Sequence, residues 1–419
     1  MRREEGHGTS PRLGALQEAI AVGKNGVLDA FWREIAMQGT PLIEPIADDA
    51  GHWLVTFLWR GDAATTHVDV IAGVLGDGFA APYSLSRLSG SDVWYRTGRA
   101  AADMRNTYML APNQPQDGTL QARMASWQTD PYNSKQFAFP PDPINPEAPA
   151  TVRSIVELPR APDQPWITSR PDVPKGRLEA LRFTSIVLKN ERTIWVYIPA
   201  GYRGESTIPM VLLFDGLEYQ RQVPAPTILD NLIADSRIPP VMAILIESPD
   251  PLTRMRELVC RPPIVTFLAE ELLPWLRHRY QVVVDPARTI VGGSSLGGLA
   301  SAYVALERPD LFGAVLAQSG SFWWKPSGDD EFEWLARRVA ALPLQAVRFY
   351  LEVGKLESAA GTPAGSHSPA RILSNRHLRT VPRARGYAVQ YQEFNGGHEW
   401  ICWRGSLAEG LMALLAPTL

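Results

Sequence analysis

Cysteine is scarce in this 419-residue chain: only Cys260 and Cys402 occur. Two thiols exclude a disulfide framework and a multi-cysteine metal centre. No run of about 18 uncharged apolar residues exists, which excludes a transmembrane helix. An excess of charge of one sign is missing too. The 41 basic and 44 acidic residues leave a formal charge of −3, which argues against binding nucleic acid through bulk charge. The opening residues Met1-Arg2-Arg3-Glu4-Glu5-Gly6 carry acid where a secretory leader carries an apolar run, so a cytoplasmic protein is expected. There is no P-loop and no His-Glu-x-x-His. Gly76-Asp77-Gly78 mimics a dinucleotide loop, but Pro82 and Ser84 stand where a helix would have to begin. What is present is 45% hydrophobic and 20% charged residues, enough for a substantial core.

Proline divides the chain. Ten prolines fall between Pro140 and Pro174, too many for a helix or a central strand. The reading is an N-terminal domain over residues 1–150, a semi-rigid proline-rich connector over 151–175 with one short strand near 154–158, and a C-terminal domain over 176–419. The first domain opens with helical spacing over 13–37 through Leu16, Ile20, Leu28, Phe31 and Ile35. Short alternating runs over 53–59, 67–71, 91–95 and 106–110 follow, separated by Gly, Asp, Ser and Pro. They predict a small all-β, immunoglobulin-like antiparallel sandwich. In the last domain, strand-like runs at 182–188, 193–198, 209–214, 241–246, 289–291, 314–317, 347–353 and 388–394 alternate in their later part with helical patterns. This alternation predicts an α/β fold with a mostly parallel sheet of the α/β-hydrolase type.

The chemistry-bearing residues lie in that last domain. Gly293-Ser294-Ser295-Leu296-Gly297 sits between a short apolar run and a helix rich in small residues. It has the form of a nucleophile elbow, where only glycine leaves room around a serine on a tight strand-to-helix turn. Centring the motif on Ser294 would need glycine at Leu296, so Ser295 is the candidate nucleophile. A hydrolase of this type carries its base last in the chain. His398 follows the last strand-like run, whereas His7, His52, His67 and His278 precede the elbow and His367 and His377 lie in a polar, arginine-rich segment. The acid belongs in the loop after the 347–353 strand, which selects Glu357; Glu352, inside the strand, is the alternative. The oxyanion hole would use the N–H of Leu296 and that of Leu217, after the Asp215-Gly216 turn, although a plain Asp-Gly turn reads equally well there. Arg254 sits in a loop at the carboxyl end of a strand, suited to an anionic or aromatic ligand; the alternative is an ion pair with Glu257. From Arg371 to Arg404 six arginines face two glutamates, either a solvated helix face or an anionic-substrate funnel.

Taken together these residues resemble the enterochelin (enterobactin) esterases. Phe31-Trp32-Arg33-Glu34, the 39–45 and 55–61 segments, Asp92-Val93-Trp94-Tyr95-Arg96 and Asp130-Pro131-Tyr132-Asn133 look like that family's N-terminal domain. Arg254-Met255-Arg256-Glu257-Leu258, the 293–298 elbow, the 316–324 segment ending in Trp323-Trp324, and the 396–404 segment ending in Arg404 look like its esterase domain. The resemblance implies hydrolysis of the trilactone of ferric enterobactin, or glucosylated relatives, to dihydroxybenzoyl-serine units, with iron entering only as part of the substrate and no protein cofactor. It implies Ser295 and His398 as catalytic residues and makes Arg254, Trp324 and Arg404 candidate substrate contacts. The Asp215-Gly216-Leu217 turn also looks like that of mycolyltransferases, whose oxyanion donor falls at Leu217. The N-terminal domain and the absence of a leader match the cytoplasmic branch. The alternatives are a general aryl or acyl carboxylesterase or acyltransferase, and a non-catalytic siderophore-binding protein.

Overall fold

The computed structural model describes residues 9–72, 83–115, 119–139, 150–204, 208–358 and 369–415. The loop at 76–81, His7, His367 and the prolines over 140–149 lie outside the described residues. The chain forms two compact units, Met1–Pro162 with Asn395–Ile401, and Asp163–Phe394 with Cys402–Leu419.

The first unit begins with two helices, α1 (Pro11–Ala21) and α2 (Val27–Gln38), where the sequence pattern predicts one. The break has a local cause: Gly23 and Gly26 hold φ of 68° and 70°, left-handed values that interrupt a helix and that glycine adopts without a Cβ clash. The Ser10 hydroxyl caps α1 by accepting from the Leu13 N–H at 3.1 Å. Leu13, Leu16, Phe31, Trp32 and Ile35 bury the inner faces of both helices against Leu42, Leu58 and Val93. These last residues belong to an antiparallel sheet of β1 (Leu42–Ile46), β2 (Asp49–Arg60), β5 (Ser86–Arg87) and β6 (Val93–Ala101), in the order β1-β2-β6-β5. The second sheet runs β4-β3-β7-β9-β8, from β3 (Val68–Ala72), β4 (Tyr83–Ser84), β7 (Arg105–Pro112), β8 (Gln136–Phe139) and β9 (Thr151–Glu157). Phe57 of β2 meets Tyr108 of β7 edge-on at 4.8 Å, which joins the two sheets through buried rings. The short α3 (Leu120–Met124) lies between β7 and β8 in sequence. The strand expected near 154–158 is β9, an inner strand paired on both sides with β7 and β8.

The second unit is an eight-stranded sheet ordered β10-β11-β13-β12-β14-β15-β16-β17. Its strands are β10 (Arg177–Ser185), β11 (Asn190–Ile198), β12 (Met210–Phe214), β13 (Met242–Ile246), β14 (Thr289–Ser294), β15 (Ala314–Gln318), β16 (Arg348–Gly354) and β17 (Ala388–Phe394). The pairs β10–β11 and β11–β13 are antiparallel, and the other five are parallel. Every residue of β12, β13, β14 and β15 is buried, as continuous Val/Ile/Leu/Ala runs in a sheet covered on both faces require. The covering helices are α4 (Gly216–Arg221), α5 (Ala225–Ala234), α6 (Pro251–Glu257), α7 (Pro262–Thr266), α8 (Leu273–Tyr280), α9 (Leu296–Glu307), α10 (Trp334–Ala341), α11 (Arg371–Ala384) and α12 (Trp400–Leu415). The chain reverses its direction of progress between β13 and β14, which flank β12, so the carboxyl ends of β12 and β14 form a switch point where α/β sheets bind ligands.

Candidate active site

Ser295 sits between β14 and α9 with φ 56° and ψ −118°. An L residue holds that conformation only when its surroundings impose it, at a cost of order 1–3 kcal/mol. The surroundings here are glycines. A Cβ on Gly293 would lie 3.0 Å from the Gly297 backbone, and one on Gly298 would lie 3.1 Å from Gly320 Cα. Helix α9 therefore packs backbone to backbone against its strands, with Ala300, Ala302 and Ala305 buried along it. Ser294 is fully buried, whereas Ser295 is half-buried and lines an open cleft of about 970 Å³. The carbonyl of Gln318 accepts the Ser295 N–H at 2.9 Å and fixes the turn to β15.

The loop after β15 carries two serines beside the site that the sequence reading did not single out. Ser321 Oγ lies 3.2 Å from Ser295 Oγ, and the Ser321 N–H donates to the Ser295 carbonyl at 2.9 Å. The Ser319 hydroxyl donates to Glu357 Oε1 at 2.6 Å. Glu357 also accepts from the Gly354 N–H at 2.8 Å, and Arg371 Nη1 stands 3.5 Å from its other oxygen. Glu357 is thus a buried, preorganised carboxylate in the loop leaving β16. The alternative acid, Glu352, is consumed within the fold: its fully buried carboxyl accepts from Gln318 at 2.9 Å and Tyr350 at 3.1 Å, and from the Ser406 hydroxyl. Burial pushes its pKa up to about 7 against the opposing pull of those hydrogen bonds.

His398 is half-buried in the segment between β17 and α12. That segment belongs to the first unit. The Arg105 N–H donates to the Asn395 carbonyl at 3.2 Å, Asn395 Nδ2 to Asp103 Oδ1 at 2.6 Å, and Arg153 Nη1 reaches both Glu399 oxygens at 3.1 Å.

Leu296 and Leu217 head α9 and α4. First-turn N–H groups have no intrahelical acceptor, and neither finds one among the described residues. The two helix starts adjoin, since a Cβ on Gly297 would meet Asp215 Oδ2 at 3.3 Å. Gly216 is forced by close approach: a Cβ there would lie 2.6 Å from the Leu245 carbonyl carbon. Asp215 takes a left-handed φ of 60°, and its carboxylate accepts from Arg254 Nε at 2.5 Å and Nη2 at 2.7 Å. Arg254 therefore lines the cleft while bracing the Asp215-Gly216 turn. Its ion-pair partner is Asp215 and not Glu257, which pairs with the buried Arg192 at 2.8 Å.

Among the described residues the cleft wall contains Arg254, Arg256, Arg261, Lys325 and Arg371 and no carboxylate. Of the arginine-rich segment proposed as a funnel, only Arg371 reaches it. Arg376 pairs with Glu393 at 2.7 Å, Arg379 stacks on Tyr391 at 4.8 Å, and Arg383 and Arg385 hold backbone carbonyls, so that face is tied down locally. Arg404 is not among the cleft residues either; its Nε donates to Gln164 at 2.7 Å. Trp324 does line the cleft, edge-on to Trp334 with ring centroids 5.9 Å apart.

A family model described as putative esterase matches residues 185–414, and one described as enterochelin esterase, N-terminal, matches residues 54–167. The chain is 30% identical over 415 residues to the iron(III) enterobactin esterase of Dickeya dadantii, covering 92% of this chain and 93% of that protein. Among solved structures, the ferric enterobactin esterase from Salmonella typhimurium superimposes with a TM-score of 0.73 at 27% identity, covering 92% of this chain and 98% of that one. The enterobactin esterase from Shigella flexneri, determined in the presence of enterobactin, gives 0.72 at 26% identity, with 92% and 97% covered.

Two outcomes are expected. Arg254→Ala strands the buried Asp215 carboxylate, so it should lower stability by about 3 kcal/mol. It should also depress turnover of a small neutral aryl ester as well as of an anionic substrate. Loss confined to the anionic substrate, read from kcat/KM, would show that Arg254 reads charge and does not brace the turn. Glu352 keeps its proton in the folded state up to about pH 7, whereas the unfolded chain releases it near 4.5. Its contribution to stability therefore falls as pH rises between those values. Glu352→Gln removes this slope, so variant minus wild-type stability should shift by about 2–3 kcal/mol in the variant's favour from pH 5 to pH 8. A difference independent of pH, measured by urea unfolding, would contradict the assignment.

Proposed function

Because the chain belongs to the enterochelin esterase family, we propose that it is a serine esterase that opens the ester bonds of iron(III) enterobactin-type catecholate siderophores to dihydroxybenzoyl-serine units. The observation that carries this reading is the strained Ser295 turn opening onto a cleft that, among the described residues, has five cationic side chains and no carboxylate. A ferric tris-catecholate is a bulky aromatic anion, and Trp323, Trp324 and Trp334 give the same cleft aromatic walls.

In the proposed reaction His398 takes the Ser295 proton as Oγ attacks a seryl ester carbonyl, with the Leu296 and Leu217 N–H groups receiving the oxyanion. Glu357 orients the imidazole and stabilises its protonated form. His398 then protonates the departing serine oxygen, leaving an acyl group on Ser295. Water, deprotonated by His398, attacks that acyl group, and the proton returns to Ser295 Oγ. Iron enters as part of the substrate, and the proposed chemistry calls on no metal held by the protein. Among the described residues no helix is long and apolar enough to cross a membrane. The N-terminal domain matches the enterochelin esterase N-terminal model, and in the proposed reading hydrolysis takes place in the cytoplasm.

Arg256 and Arg261 separate substrate recognition from chemistry. Arg256→Ala and Arg261→Ala should each raise KM for ferric enterobactin about tenfold, the effect of a lost charged hydrogen bond, and leave kcat/KM for a neutral aryl ester within about twofold. Ser295→Ala should abolish both activities by more than about 10³-fold, and Glu357→Gln should lower kcat on both by roughly 10²–10⁴-fold. Ferric enterobactin turnover that ignores both arginines, or that survives Ser295→Ala, would overturn the reading.

A further inference from the structure

We infer that Ser321 is a further catalytic residue, whose hydroxyl donates to Ser295 Oγ and so directs the nucleophile's single proton toward its base. The inference rests on Ser295 being the nucleophile. Among the described residues Ser321 Oγ is the hydrogen-bond partner of Ser295 Oγ, at 3.2 Å. The contact is built into the backbone: Ser321 N–H donates to the Ser295 carbonyl at 2.9 Å, and Ser295 N–H donates to the Gln318 carbonyl at 2.9 Å. The two turns are thereby laced together from both sides. Asn375 Nδ2 holds the Gly320 carbonyl at 2.8 Å. The Ser319 N–H donates to the Glu352 carbonyl at 2.8 Å. Ser321 is 1% exposed yet lines the cleft, so its hydroxyl is held where the reacting atom is.

A serine hydroxyl has one proton and two acceptor lone pairs. If Ser295 spent its proton on Ser321, no base could take it without first rotating the hydroxyl. When Ser321 donates instead, Ser295 Oγ is fixed by an accepted bond and its own proton is left to point elsewhere. The same donor stays in place when the ester breaks and Oγ becomes a leaving group, where it meets the charge returning to that oxygen. The Ser321 proton remains on Ser321 throughout, and no bond to it forms or breaks.

The test uses the full-length protein and a fluorophosphonate that reports nucleophile reactivity without the natural substrate. Ser321→Ala should slow labelling about tenfold and lower kcat on ferric enterobactin by the same factor, with KM within twofold. The height of the pH–rate profile should fall while its acid limb stays in place, since the base itself is untouched. Ser321→Thr, which keeps the hydroxyl, should label within threefold of wild type. Labelling of Ser321→Ala at the wild-type rate, or of Ser321→Thr as slowly as of Ser321→Ala with both variants folded, would overturn the inference. Ser295→Ala separates the two claims. Persistent labelling in that variant removes the nucleophile itself; lost labelling there with unchanged Ser321→Ala removes only the role of Ser321.

Discussion

Ser295 is held at φ 56° and ψ −118°, and much of the second unit can be read as the set of constraints that make this affordable. The strain is tolerable because Gly293, Gly297 and Gly298 let α9 lie directly on β12, β14 and β15, where a Cβ would come within 3.0–3.2 Å of a neighbouring atom. Close packing of this kind is what over-determines a local conformation. The same compression sets the β12 turn beside the elbow, so that two helix starts with unpaired N–H groups adjoin.

Electrostatics divides the unit into two regions with different logic. Four buried carboxylates are neutralised or held: Asp215 by Arg254, Glu257 by Arg192, Glu357 by Ser319 with Arg371 nearby, and Glu352 by hydroxyl and amide donors. Among the described residues the cleft wall has cations and no carboxylate. Arg254 and Arg371 stand against Asp215 and Glu357, so the local positive charge of the cleft comes from Arg256, Arg261 and Lys325, which a net charge of −3 would not suggest.

The parts legible in the sequence are those whose physics is local. The alternation of apolar runs with helical spacing reports a parallel sheet because burial on both faces demands it, and the glycine pattern around Ser295 reports a tight turn because only glycine fits. Local logic also fails in identifiable places. Gly23 and Gly26 break a stretch that apolar spacing reads as one helix, since spacing is blind to backbone φ. Arg254 has Glu257 as its helical neighbour, yet it pairs with Asp215, 39 positions away in the chain. Arg404 and the helix α11 arginines share a charge-rich segment, but their partners are settled by tertiary contacts. Ser319 and Ser321 look alike as residues; their roles exist only through what lies 2.6 Å and 3.2 Å from their hydroxyls. Glu352 and Glu357 separate in the same way, one inside a buried strand and one in the loop beyond it.

The most direct measurement is mass spectrometry of the products formed when the wild-type protein meets ferric enterobactin. The account predicts conversion of the cyclic trilactone to linear dihydroxybenzoyl-serine species, with each opened ester adding one water. Recovery of the cyclic siderophore intact, under conditions where the same preparation turns over a neutral aryl ester, would contradict it.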